Sequence, residues 1–125
     1  MDIKHHITIE ATPFFIAEQS EPAQDRYVFA YTITITNQGT VSTQLLRRHW
    51  LITDANGKVQ EVHGDGVIGE QPLIKPGETF RYTSGAILET PVGVMQGYYL
   101  MRPDQGDDFQ APIPKFTLSI PRVLH

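Results

Sequence analysis

The residues with the types and spacing to do chemistry crowd into one stretch, Arg47 to Glu70. Arg47 and Arg48 are adjacent, and a guanidinium pairs well with carboxylate or phosphate. His63 and Asp65 flank Gly64 and offer imidazole and carboxylate donors of the kind borderline cations accept. His49 could join them if the two segments pair as a hairpin through Asn56-Gly57. Gly64, Gly66 and Gly69 spell a GxGxxG string. Such a string binds dinucleotide phosphates when a strand precedes it and a helix opens within it. Here Glu70-Gln71-Pro72 and then Pro76 follow, and proline breaks a helix in its first turns. No Walker lysine follows either. The weaker possibility is a nest of backbone N–H groups around an anion. Asp65 and Glu70 would repel a phosphate there unless Arg47, Arg48, Lys58 or a metal offset them. The sequence favours glycines that supply positive φ and close packing in a sandwich loop. The candidate ligand-binding set is therefore Arg47, Arg48, His63, Gly64, Asp65, Gly66 and Gly69. The donor count for a metal is incomplete, so no metal and no cofactor are assigned.

Catalytic groups are harder to find. Thr83-Ser84-Gly85 lacks the GxSxG elbow and its strand–turn–helix setting. Those hydroxyls read as closing a strand by bonding nearby backbone. Asp107 and Asp108 sit beside Gly106 in a polar loop, where no burial shifts a carboxyl toward acid–base work. The chain has no Cys, which removes thiolate chemistry and disulfides and suits a reducing cytoplasm. No catalytic residue is assigned, and the expectation is a protein that is not an enzyme.

Period-two alternation must supply the elements that position these residues. Tyr27, Phe29, Tyr31, Ile33 and Ile35 take alternate places, with Val28, Ala30, Thr32, Thr34 and Thr36 between them. Successive strand side chains point to opposite faces, so the first set faces a core and the second mostly solvent. Ile7, Ile9 and Ala11 repeat the pattern near the N-terminus, and Phe116, Leu118 and Ile120 near the other end. Phe80 with Tyr82, and Tyr99 with Met101 or Tyr98 with Leu100, mark further strands. Asn37-Gln38-Gly39, Asp54-Ala55-Asn56-Gly57 and Lys75-Pro76-Gly77-Glu78 are turn signals. Pro13 predicts an edge strand or a bulge. Adjacent Leu45 and Leu46 shift the phase, so that Arg48, Trp50 and Ile52 share a face. The shift reads either as a β-bulge or as two leucines buried on opposite faces of a twisted strand. Trp50 reads as core. Arg48 reads as paired at the core edge, or else as an exposed anchor for an acidic partner. Together these signals predict an all-β antiparallel sandwich of roughly seven or eight strands, one domain spanning 1–125.

Composition narrows the partners. Ten Lys and Arg against fourteen Asp and Glu give a net charge of −4. That balance does not suit a duplex nucleic-acid binder. The N-terminal MDIKHHITIE lacks a secretory apolar run, and no stretch reaches the length of a membrane span. His5 and His6 read as exposed, and Asp104, Asp107 and Asp108 as a solvated loop.

Four segments together carry a resemblance: RHWxITDxxG from Arg48 to Gly57, EVxGxGVxGxQP from Glu61 to Pro72, PGexFxYTSG from Pro76 to Gly85, and GVMQGYYLM from Gly93 to Met101. In this order and spacing, with PRVLH at the end, the chain resembles the ApaG family. The resemblance implies a fibronectin type III-like β-sandwich with no established enzymatic activity. In bacteria the family's genes often neighbour one for a diadenosine tetraphosphate hydrolase, which suggests nucleotide or pyrophosphate binding. In eukaryotes the domain sits within F-box proteins and a polymerase-interacting protein, where protein binding is inferred. The expectation is a cytoplasmic, non-enzymatic module for protein–protein interaction, monomer or homodimer. The alternative is a binder of a phosphorylated small molecule through Gly64 to Gly69.

Overall fold

Eight strands follow the turn signals in order: β1 (Ile7–Phe15), β2 (Tyr27–Asn37), β3 (Thr43–Asp54), β4 (Val59–Asp65), β5 (Leu73–Ile74), β6 (Thr79–Leu88), β7 (Val92–Pro103) and β8 (Phe109–Ser119). The computed structural model describes residues 6–121. His5 and the Arg122–His125 part of PRVLH lie outside them. No α-helix occurs among the described residues. Every ladder is antiparallel. One sheet has the order β1-β2-β6; the other runs β4-β3-β7-β8, with the two-residue β5 also pairing β3.

The sandwich core lies between the sheets. Phe29, Tyr31, Ile33 and Ile35 face it from β2, with Tyr27 packed at its margin. Tyr99 and Met101 face it from β7, which puts Tyr98 and Leu100 on the outside. Trp50 is 2% exposed and makes edge-on contacts with Tyr31, Tyr99 and Phe116 at centroid distances of 5.4, 6.3 and 6.0 Å. Such edge-to-face packing satisfies the ring quadrupoles while burying a large apolar area.

Burial and strand ends depart from the expected pattern at several positions. Val28 and Ala30 belong to the solvent-facing set of β2, yet both are buried. The connection between β1 and β2 lies against this end of the strand: Ile16 N–H donates to Val28 O at 2.8 Å, and Val28 N–H to Ser20 Oγ at 2.8 Å. The alternation is intact, but the outer face of β2 is shielded from solvent at this end of the strand. Ile120 lies beyond the end of β8 and is exposed. Thr83 and Ser84 sit in the middle of β6, and the Thr83 hydroxyl bonds Thr32 across the ladder at 2.7 Å. His6 is half-buried, and its carbonyl accepts from Gln38 N–H.

The turns form as their residues require. Pro76 and Gly77 occupy the centre of a turn closed by Glu78 N–H to Lys75 O at 2.9 Å, with φ +84° at Gly77. Asp54 Oδ1 accepts from the N–H groups of Asn56 and Lys58, which fixes the hairpin between β3 and β4. Pro13 lies in β1, an edge strand. The β3–β7 register slips between Leu45 and Arg47, so the phase change is a β-bulge at Leu46.

Candidate functional site

The bulge sorts the basic pair. Past it, Arg48 lines up with Trp50 and Ile52 toward the core, while Arg47, His49 and Leu51 face outward. The freed Leu46 carbonyl accepts from Gly66 N–H at 2.8 Å and from Gln71 Nε2 at 2.9 Å. The same irregularity that turns Arg48 inward thus also anchors the glycine loop.

Arg48 sits at the core edge, the first of the two readings above. Its Nη1 donates to the carbonyls of Asp65 at 3.1 Å and Gly66 at 2.9 Å. Gly64 makes room for it: a Cβ there would fall 2.5 Å from Arg48 Nη2. Gly66 has φ +61°, and a Cβ would meet Glu70 O at 2.1 Å. Val67 and Glu70 exchange both backbone hydrogen bonds, at 2.8 and 2.9 Å. Between them Ile68 and Gly69 have φ +44° and +80°, the mirror-image turn that suits a two-residue hairpin. The amides of Gly66, Val67 and Glu70 are therefore spent on backbone carbonyls, and no helix follows the string. Ile68 is the unusual member. A β-branched residue in the left-handed region is strained, and this one is also 57% exposed.

Behind the turn lies a cleft of about 230 Å³ lined by Tyr31, Arg48, Trp50, Ile68, Tyr82 and Ser84, among others. Its floor is polar. The hydroxyls of Tyr82 and Tyr99 bond each other across the two sheets, and Ser84 bonds Tyr31. Burial pushes the phenols of Tyr31, Tyr82 and Tyr99 above their ordinary value, so all three stay neutral donors.

A second group lies on the outer face of the five-stranded sheet. β3 and β4 pair as a hairpin through Asn56-Gly57, and the register sets His49 opposite His63 and Arg47 opposite Asp65. Asp65 is thereby drawn to Arg47, Nε to Oδ1 3.4 Å, both largely exposed. A screened surface pair of this kind adds little stability. Glu61, two residues before His63 on the same face of β4, takes the place the sequence suggested for Asp65. His63 Nε2 lies 2.9 Å from Glu61 Oε1, and His49 Nε2 lies 3.3 Å from Oε2. Hydrogen bonds from His63 first and His49 second hold the Glu61 carboxyl below its usual range. The His49 ring lies between His63 and Tyr98 at centroid distances of 4.5 and 4.8 Å. Its Nδ1 is enclosed, with no hydrogen-bond partner among the described residues. Glu61 was missed in the sequence; the signal was its i, i+2 spacing to His63 on a strand. The candidate residues thus fall on two faces. Arg48 and Gly69 border the inter-sheet cleft, while Arg47, His63 and Asp65 stand on the outer face, and Arg48 reaches the edge of that face too.

Two antiparallel sheets enclosing one aromatic core, with loops at the ends, define a fibronectin type III-like β-sandwich. The ApaG domain profile matches residues 17–103. The chain is 62% identical to Protein ApaG of Thiobacillus denitrificans over 122 residues, 98% of this chain and 96% of that protein. It is 54% identical to Protein ApaG of Xanthomonas campestris pv. campestris over 124 residues, 99% of this chain and 98% of that one. The crystal structure of the putative ApaA protein from Bordetella pertussis superposes with a TM-score of 0.93 at 50% identity, covering 96% of this chain and 98% of that chain. The C-terminal domain of wzt shares the fold alone, with a TM-score of 0.57 at 8% identity over 97% of this chain and 77% of that one. This chain belongs to the ApaG family.

Proposed function

We propose that this chain is a non-enzymatic, cytoplasmic recognition module that takes an extended segment of another protein along the free edge of β6. The observation that carries the reading is how differently the four sheet edges are guarded. Exposed edges invite strand addition, and proteins blunt them with proline, bulges, charge or short length. β1 carries Pro13; β8 carries Pro112 and Pro114 and breaks register opposite Met95 to Gly97. These two edges also run beside each other. β4 is seven residues long and bears Glu61 and Asp65. β6 has ten residues, no proline, and unbroken register with β2 from Leu88 to Thr79. Among the described residues it ladders with β2 alone.

The open edge of β6 borders the cleft. An added strand would offer its backbone to β6 and alternate side chains to the cleft. Tyr31 and Trp50 suit an apolar group there, and Arg48 suits an acceptor. Ile68 stands at the rim as an exposed apolar contact. The phosphate-binding alternative has less support, because the amides of Gly66, Val67 and Glu70 already donate to backbone carbonyls and Asp65 and Glu70 lie beside the loop.

The test is capture of partners from a bacterial lysate by the whole chain, compared across variants. Ile68→Gly removes the apolar rim while fitting the left-handed turn, so its thermal midpoint should hold or rise. Its captured partner should fall at least about tenfold, on the scale of a lost hot-spot side chain. Lys115→Ala on exposed β8 should capture as the parent does. Equal capture by Ile68→Gly would count against this edge.

A further inference from the structure

We propose that His49, Glu61 and His63 form a binding site for a divalent transition cation of borderline softness, with Zn²⁺ the simplest occupant. The site lies on the outer face of the five-stranded sheet, separate from the β6 cleft, and does not depend on it. Strand pairing builds it. His49 and His63 are directly opposed across β3 and β4, and Glu61 shares their face one pleat along. Opposed side chains on one sheet face begin about 5 Å apart at Cβ, close enough for both rings to converge on one point.

The donor geometry fits. One donor atom from each residue lies within 4.8 Å of the other two. Four ligands about 2.05 Å from a tetrahedral zinc are about 3.3 Å from one another. His49 Nε2 lies 3.3 Å from Glu61 Oε2 and His63 Nε2 lies 2.9 Å from Oε1, so each imidazole already stands near that spacing from one carboxylate oxygen. To close on one ion, the two imidazoles draw together from within 4.8 Å and Glu61 turns one oxygen, or both, toward the point between them. His63 is 54% exposed at its side chain, so solvent leaves its ring room to adjust, whereas His49 is enclosed between His63 and Tyr98. Two imidazoles and one carboxylate select Zn²⁺, Ni²⁺ or a similar ion over Mg²⁺, which prefers an all-oxygen shell. Three protein ligands leave a position for water.

Binding requires each imidazole to present the lone pair of Nε2. The proton that Nε2 shares with Glu61 then moves to Nδ1. For His49 that nitrogen is enclosed without an acceptor. Metal-bound histidines ordinarily donate there, and losing such support weakens affinity about 10–100-fold. The expected affinity is accordingly on the order of micromolar.

The decisive experiment titrates the full chain with ZnCl₂ by calorimetry, alongside His63→Ala, Glu61→Gln and a double His5→Ala/His6→Ala variant. The parent and the double variant should bind one zinc alike, and MgCl₂ should give no heat. His63→Ala and Glu61→Gln, both at exposed positions, should weaken zinc at least about tenfold without lowering the thermal midpoint. Imidazole ¹⁵N spectra should show His49 and His63 shifting together as zinc is added. Zinc binding that survives His63→Ala, binding that disappears with His5→Ala/His6→Ala, or no binding at millimolar zinc would each overturn the assignment.

Discussion

Replacing Ile33 with Ala should lower the unfolding free energy by about 2–5 kcal/mol, measured by urea denaturation. Ile33 is fully buried at the centre of β2 and pairs in register with Ala11 and Tyr82 on its two sides. Removing the side chain loses its transfer energy and leaves a cavity between two sheets. The central strand of a three-stranded sheet cannot shift to fill that cavity without disturbing both ladders. A loss below about 0.5 kcal/mol would place this face outside the core, since that is the scale of a surface substitution.

Gly97→Ala should be at least as costly. Gly97 pairs with Trp50 on β3 and with Ile113 on β8. A Cβ there would lie 1.9 Å from the carbonyl oxygen of His49. That atom is backbone in a central ladder, so no side chain can rotate to relieve the contact. β3 and β7 would have to separate, carrying Trp50 and the His49 ring with them. The expected loss is about 3 kcal/mol or more, at or above the usual range for overpacking. A stable Gly97→Ala protein with unchanged His49 and Trp50 resonances would contradict this register.

The architecture was legible because alternation and turn chemistry agreed. Asn56-Gly57 and Pro76-Gly77 fixed where chain reversals fall, and the β2 run fixed which face is inward. Both rest on local backbone and burial rules that need no long-range knowledge. The failures share a different cause. Val28 and Ala30 are buried on the outer face, and strand periodicity does not encode whether an outer face is covered. Leu45-Leu46 admitted two readings, because a bulge and a two-sided burial look alike until the β7 register is known. The candidate site split for the same reason. Arg47 and Arg48 are neighbours in sequence, but the strand sends them to opposite faces. Glu61 became the residue between the two histidines only once β4 was aligned on β3. The glycine string resembled a phosphate loop by composition alone; the amides of Gly66, Val67 and Glu70 turn to Leu46, Glu70 and Val67 through contacts that composition does not carry.

We propose β6 as the receiving edge. Placing a photo-crosslinking residue at exposed Arg81 on β6, and separately at exposed Lys115 on β8, tests it within intact cells. Arg81 should give a discrete crosslinked partner, with the attachment mapping to an extended segment of that protein. Lys115 should give none. A partner crosslinked from Lys115 and not from Arg81 would contradict the account.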